Sequence, residues 1–233
     1  MRPTATLQYF RRASWLVATA VLSIATIARA TDAPPQSTQD GLQLEAQTRE
    51  RVVYVKPGAS LAQYDKVAIL DCYVEFEKDW QKDYNSSRVG LEDRVSDKDV
   101  ERMKAGLAAE FKKVFTKELQ DKGGYQVVSS AAPDVLVLRP ALINVEVNAP
   151  DLMSADIGRT IVRSAGQATL YLELWDSTSS TILARIEDAR ADDSPFAQEA
   201  NRVTNTAAAD RILHDWADEL RKHLDAARAS PTP

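Results

Sequence analysis

The sequence has 233 residues, of which 44% are hydrophobic and 27% charged, with only 8 Gly and 10 Pro. This composition excludes collagen-like, low-complexity and wholly disordered chains, which contain far more Gly and Pro or far fewer apolar residues. A single cysteine cannot form an internal disulfide, and 2 histidines leave little material for a metal cage or a histidine base.

The first thirty residues are typical of an export signal. Arg2, Arg11 and Arg12 precede an apolar stretch from Ala13 to Ala28, and Ala28-Arg29-Ala30 offers small residues at a cleavage site. We expect residues 1–30 to be removed by cleavage after Ala30 and the rest to reach the bacterial periplasm. An uncleaved anchor and a twin-arginine export route are the alternatives. Because no cysteine lies near the site, we expect no lipid anchor.

Removal of the signal makes the chain more acidic. The signal contains four arginines and no acidic residue, so the remaining 203 residues carry 25 basic and 34 acidic side chains and a net charge of −9. Nucleic acids and anionic membranes attract concentrated positive charge. The charge therefore argues against both as partners.

The pattern after the signal predicts a flexible tether over residues 31–50, a single domain over 51–228 and a disordered tail over 229–233. The domain begins with a short β-branched run at 51–55. Its clearest strand is expected at 66–76, where the even positions are apolar and should face the core: Ala68, Leu70, Cys72, Val74 and Phe76. Residues 77–95 are charged and lack a period, which predicts a surface loop.

A long helix is expected to begin at Ser96, with Asp99 as the second half of a capping box, and to end at Gly123-Gly124. Further strands are predicted at 125–129 and 135–147, where Pro140 demands a bulge or an edge position, and in a hairpin of 167–175 with 181–189. A second amphipathic helix follows at about 205–228. The sequence thus predicts an α+β fold, a mixed sheet of about five strands with two long amphipathic helices packed on one face.

The inventory of reactive side chains predicts no catalytic, cofactor-binding or metal-binding residue. The nucleophile-elbow motif and a glycine-rich phosphate loop are both missing. Cys72 and His223 could in principle pair, but reactive cysteines are partly exposed, whereas Cys72 lies in a predicted core row. Asp71, Glu75 and the acidic run 187–193 could serve a carboxylate-based hydrolase, although solvated surface charge explains them more simply.

Five aromatic residues are the candidate partner contacts. Trp80 and Tyr84 stand in the charged stretch, while Tyr73, Tyr171 and Trp175 fall on strand faces opposite the apolar rows. Exposed aromatic rings often anchor protein partners or stack on sugars. The alternatives are that Trp80 and Tyr84 fold back over the sheet edge, and that the N-terminal segment covers the second face of the sheet.

Three stretches resemble a bacterial family of exported, mostly lipid-anchored proteins, the domain of unknown function DUF3313. They are YVKPGASLAQYDKVAILD at 54–71, AGQATLYLELWDST at 165–178 and WADELR at 216–221, and the resemblance spans about 44–227. The resemblance implies no activity, cofactor or catalytic residue, and this chain lacks the family's lipid-accepting cysteine.

These observations favour a non-catalytic periplasmic accessory or interaction protein of the bacterial cell envelope, with an envelope protein or a cell-wall component as partner. The first alternative is a periplasmic protein that binds a small ligand or a glycan through Trp80, Tyr84 and the second face of the sheet. The second alternative is the carboxylate-based hydrolase.

Overall fold

The computed structural model of the chain describes residues 33–86, 88–90, 94–148, 160–162, 166–191, 198–200 and 202–229. The predicted signal with its cleavage site and the predicted tail beyond 229 lie outside these residues. The described residues from Pro34 onward form one compact unit. Within the described residues, every helix is too short or too polar to cross a membrane.

The described elements are ten strands and three α-helices. In chain order they are β1 (Gln43–Gln47), β2 (Arg51–Val55), β3 (Lys66–Ile69), β4 (Tyr73–Phe76), α1 (Trp80–Ser86), α2 (Asp97–Lys117), β5 (Gln126–Val127), β6 (Val135–Val147), β7 (Thr160–Val162), β8 (Gly166–Asp176), β9 (Ile182–Ala191), β10 (Gln198–Ala200) and α3 (Arg202–Ala229). A π-helical turn, Glu118–Lys122, continues α2.

The fold is α+β, built on a mixed sheet. Eight strands form the main sheet in the order β1-β2-β9-β8-β6-β3-β5, with β4 also paired to β6, while β7 and β10 form a separate pair. The strands β3, β4 and β5 make the parallel pairs, and the other pairs are antiparallel. The predicted count of about five strands is therefore too low. The structure also contains a short helix, α1, in addition to the two long ones.

Part of the predicted tether belongs to the sheet. The strand β1 pairs with β2, and Leu42 just before it is fully buried against Tyr54 and Ile182. The tether prediction over 31–50 is therefore wrong for residues 42–47. Leu42, Leu44 and Ala46 alternate with polar residues, but this alternation is too short to distinguish the strand from a polar tether.

The predicted strand at 66–76 is two strands, and the segment between them has one residue more than the facing part of β6. Ile69 pairs with Leu138 and Tyr73 pairs with Ala141, so four steps on one strand match three on β6. An extra residue reverses which side chains face inward. Val67 and Ile69 are consequently buried before the break, and Leu70 is 46% exposed, contrary to prediction. The predicted burial of Cys72 and Val74 after the break is confirmed.

Pro140 lies opposite this break. The ladder on that side of β6 stops at Leu138 and resumes at Ala141, so the missing N–H of proline falls where no strand pairs with it. On the other side Pro140 pairs with Leu172 of β8, which places it in the sheet interior. The predicted edge position is therefore wrong, and the extra residue lies in the segment between β3 and β4 rather than as a bulge of β6 at Pro140.

The stretch predicted as a surface loop contains α1. Asn85 on this helix holds the following segment, because its side-chain amide accepts from the N–H of Val95 at 2.8 Å and donates to its carbonyl at 2.9 Å.

The capping box at the start of α2 is confirmed: Ser96 accepts from the N–H of Asp99, and the Asp99 carboxylate accepts from the N–H of Ser96. Gly124, at φ +67°, supplies the left-handed turn after the helix.

Both long helices contribute to one core with the sheet. Phe111 and Phe115 of α2 and Leu213 and Trp216 of α3 pack in the same cluster as the predicted inward row of β8, which is Leu170, Leu172 and Leu174. Below, the sheet face that carries this row is called the inner face and the opposite one the outer face.

Candidate functional site

The outer face gathers three of the five predicted contact residues. Register places Tyr73 of β4, Ala141 of β6 and Tyr171 of β8 side by side across the sheet. Trp175 lies four residues after Tyr171 on β8, on the same face. Adjacent strands lie about 4.8 Å apart, so the tyrosines stand roughly 10 Å apart with only a methyl group between them. The sequence periodicity predicted the shared face, and the register adds that the small Ala141 lies between the two tyrosines.

A row of charged residues crosses the same face. Arg139 on β6, Glu173 on β8 and Arg185 on β9 are cross-strand neighbours. Glu173 is only 5% exposed and is surrounded by donors. It accepts from Arg185 Nε and Nη2 at 3.1 and 2.9 Å, the Tyr171 hydroxyl at 2.9 Å, Trp175 Nε1 at 3.2 Å and Arg139 Nη1 at 3.5 Å. One buried carboxylate therefore orients both aromatic side chains and both arginines.

The surroundings of Tyr171 and Arg185 raise the pKa of both side chains. Burial, reinforced by the hydrogen bond to Glu173, raises the pKa of Tyr171 to about 12. Burial opposes the charge on Arg185, but its pairs with Asp40 and Glu173 outweigh this effect and raise the Arg185 pKa. Tyr171 is thus a neutral hydroxyl and Arg185 a cation, which suits binding through fixed hydrogen bonds better than proton transfer.

The N-terminal segment covers one corner of the outer face. Asp40 pairs with Arg185 at 2.5 Å. The partly buried Trp175 packs against the cluster of Leu42, Tyr54 and Ile182. The open part lies toward β4 and β6, where Tyr73 is 60% exposed and the Arg139 side chain 65%. The remaining surface is therefore centred on Tyr73, Tyr171 and Arg139.

The other two predicted contact residues lie on α1. Trp80 is 9% exposed, its Nε1 donates to the Val147 carbonyl at 3.2 Å, and its ring stacks on Phe76 at 4.5 Å. Tyr84 stacks on Trp80 at 5.9 Å and carries the Arg88 guanidinium over its ring. The rings are therefore folded back onto the end of β4 and β6, as in the alternative interpretation, and the outer face is formed without them.

The candidate carboxylates do not converge on a cleft among the described residues. The Asp71 side chain is 96% exposed, Glu75 and Glu187 are exposed, and Asp188 is buried between Arg51 and Arg190 at 2.6 and 2.9 Å. Asp192 and Asp193 lie outside the described residues. In the part of the chain described, no group of three His, Cys, Asp or Glu side chains could hold a metal ion.

Cys72 and His223 occupy different environments. Burial raises the pKa of the Cys72 thiol to about 12, which disfavours the reactive thiolate. The His223 side chain is 73% exposed and lies 3.8 Å from Glu219 on its own helix.

A cavity that sequence reasoning missed lies on the inner face. It has a volume of about 410 Å³ and is bounded by α2, α3 and the paired ends of β6 and β8. No sequence signal pointed to it, because its wall combines residues from four elements whose arrangement only the fold determines.

Comparison with known proteins places the chain in a family. Residues 35–220 match the family described as "Protein of unknown function (DUF3313)". The chain therefore belongs to DUF3313, as the sequence resemblance indicated. No curated protein matches it.

The solved structures that the chain resembles are distant in sequence and have low TM-scores. The PelC dodecamer from Paraburkholderia phytofirmans is 13% identical, with a TM-score of 0.36 and coverage of 73% of this chain and 97% of that one. A DUF330 protein from Xanthomonas campestris is 13% identical, with a TM-score of 0.38 and coverage of 74% and 90%. A homologue of a neuraminyllactose-binding hemagglutinin from Helicobacter pylori is 10% identical, with a TM-score of 0.26 and coverage of 70% and 94%.

Proposed function

We propose that this DUF3313 protein is a non-catalytic accessory protein of the bacterial cell envelope that works in the periplasm by binding a partner on its outer face. One observation carries the proposal: Tyr73, Tyr171 and Arg139 lie on the open part of the outer face, and the buried Glu173 accepts hydrogen bonds from Tyr171 and Arg139. Tyrosine and arginine are the residues that contribute most energy to protein interfaces.

The fixed geometry of this surface favours binding. Tyr171 and Arg185 are already restrained by Glu173, so a partner would immobilise few further rotamers on contact. The partner we favour is an envelope protein, whose apolar and acidic side chains would meet the tyrosines and Arg139. A cell-wall glycan is the second candidate, because a sugar ring could stack on Tyr73 or Tyr171 across the Ala141 gap.

The binding surface can be tested with a photo-crosslinking amino acid in intact cells. We expect a discrete crosslinked product, identified as one protein or glycan, when the crosslinker replaces Tyr73. The matched control replaces Lys222, whose side chain is also exposed, at 67%, on α3. Products of equal yield at both positions, or none at position 73, would contradict the proposal.

The proposed location has its own test. Cell fractionation should recover the protein in the periplasm with a new N-terminus at Thr31, because cleavage is expected after Ala30. Recovery of the intact N-terminus in the membrane fraction would instead indicate the anchored alternative.

A further inference from the structure

We propose that the partner on the outer face is a second copy of this chain, so that two sheets pack face to face. This inference rests on the proposed function, because it names the protein that binds to the same surface. The two copies are related by a twofold axis that lies in the interface, perpendicular to the strands. The axis follows the row of Tyr73, Ala141 and Tyr171.

The centre of the outer face carries apolar side chains that water reaches. Tyr73 is 60% exposed, and Leu70, which alternates with the buried Ile69, is 46% exposed. Ala141 and Ile143 continue this surface on β6 and are half-buried. An apolar sheet face is normally buried against a second layer, and stacked sheets lie about 10 Å apart. An identical sheet supplies such a layer.

Two charged side chains flank the row on opposite sides. Arg139 lies two residues before Ala141 on β6, and Glu75 lies two residues after Tyr73 on β4. Because β4 and β6 are parallel, the two positions are about 13 Å apart along the strands. This separation is too large for a close ion pair between them within one chain.

Both charges remain available for a partner. The Arg139 side chain is 65% exposed, and its contact with Glu173 is long, at 3.5 Å, because shorter hydrogen bonds from other donors already occupy that carboxylate. Glu75 is exposed, and among the described residues no ion pair includes it. The face therefore presents one cation and one anion, on either side of an apolar centre.

The twofold axis brings these opposite charges together. It exchanges the two sides of the row, so Arg139 of each copy lies opposite Ile143 of the other copy and one strand away from its Glu75. That offset, about 4.8 Å, is within the reach of an arginine side chain. Two identical ion pairs result, as in the self-complementary interfaces of twofold dimers.

The charges also select this axis over the other one in the plane of the sheet. An axis parallel to the strands would bring Arg139 to the level of its own counterpart and Glu75 to the level of its own, which is unfavourable. The exposed Glu187 of β9 extends the row but lies two strands from Ala141, at the rim, where it keeps its hydration.

Sedimentation velocity tests the inference on protein purified from cells that express the complete sequence. We expect a reversible dimer whose share increases with protein concentration. Arg139→Glu and Glu75→Arg should each weaken the dimer at least tenfold, because each places like charges opposite one another. Glu101→Arg is the matched control: this side chain is 72% exposed on α2, away from the outer face, and the dimer should persist.

Mixing the two charge-reversal variants gives the sharpest comparison. In a mixed pair the introduced glutamate faces the introduced arginine, and the remaining Arg139 faces the remaining Glu75, so the mixture should dimerise as tightly as the wild-type chain. Circular dichroism checks that each variant is folded. If Arg139→Glu does not fold, Glu75→Arg at its exposed position still decides, because a dimer as tight as wild type overturns the inference.

The inference is also overturned if the wild-type chain stays monomeric, or if the folded variants do not dimerise on mixing. The crosslinker at position 73 separates its failure from that of the proposed function. A product of two copies of the chain supports both proposals. A product with another molecule, from a chain that is monomeric in solution, overturns only the second copy, whereas a monomeric chain without any product overturns both.

Discussion

Glu173 shows how one side chain organises a surface. Its buried carboxylate receives hydrogen bonds from two aromatic residues and two arginines, and these donors meet the requirement that a buried charge be compensated. The same contacts hold the side chains of the outer face in fixed positions. Stability and the proposed recognition therefore depend on the same residue.

We predict that Glu173→Ala lowers the free energy of unfolding by about 3–5 kcal/mol, the usual cost of removing one partner of a buried ion pair. The reason is that Arg185, whose side chain is 16% exposed, keeps only Asp40 as a described acidic partner. Urea denaturation followed by circular dichroism measures the change. Glu187→Ala, an exposed carboxylate on the neighbouring strand β9, is the control and should stay within about 0.5 kcal/mol of wild type. Equal effects of the two substitutions would contradict the assigned role of Glu173.

At the scale of elements, the break between β3 and β4 decides which residues face the core. Before the break the odd-numbered Val67 and Ile69 face the core. After the extra residue in the segment Leu70–Cys72, the even-numbered Cys72 and Val74 face the core and Tyr73 faces outward. If Asp71 were deleted, Leu70 would fall opposite Arg139 and Cys72 opposite Pro140, and every buried residue would keep its face.

We therefore predict that a chain lacking Asp71 still folds cooperatively, with a loss of less than about 2 kcal/mol, within the range of ordinary single changes. The matched control lacks Ala68 instead, which would turn Val67 outward and Lys66 inward and should prevent folding. Far-ultraviolet circular dichroism and urea denaturation of both variants make the comparison. If removal of Asp71 were as damaging as removal of Ala68, the break would have a structural role beyond parity.

The same elements show what sequence could and could not predict. Long patterned segments were found with close bounds, such as β6 at Val135–Val147 and the start of α2 at its capping box, because local chemistry specifies them. The sequence predicted β5 within the strand at 125–129, but it did not predict β1, a short strand that lies at the edge of the sheet beside β2. Of the candidate site, periodicity predicted the shared face of Tyr73, Tyr171 and Trp175. The row of Arg139, Glu173 and Arg185 could not be predicted in this way, because it depends on the register between three strands.

At the scale of the molecule, α3 is joined to the rest of the fold by two partly buried charge networks. Glu219 bonds to Arg51 of β2 and to Arg190 of β9, while Arg221 bonds to Glu118 in the π-helical turn at 3.0 Å. Arg190 also lies over the Trp216 ring at 5.7 Å, so the first network adjoins the wall of the cavity. The position of α3, and with it the shape of the cavity, therefore depends on ionised carboxylates.

This dependence predicts how stability changes in acid. The hydrogen bonds from Arg51, and then from Arg190, outweigh burial and lower the pKa of Glu219 from 4.5 to about 2. A carboxyl group whose pKa is lower in the folded than in the unfolded state stabilises the fold above its unfolded value, and this contribution disappears as the pH falls from about 4.5 to about 2. Glu219→Gln should thus be less stable than wild type at pH 7 and should lose less stability across that interval.

Urea denaturation between pH 7 and pH 2 compares Glu219→Gln with Glu101→Gln, whose carboxylate has a single partner on α2 and is 72% exposed. The Glu101 variant should follow the wild-type pH profile, because an exposed pair at this spacing contributes only about 0.3–0.5 kcal/mol. The Glu219 variant should converge with wild type at the acidic end, where the wild-type carboxyl group is itself protonated. Parallel profiles for Glu219→Gln and wild type over the whole range would show that this network does not tie α3 to the sheet.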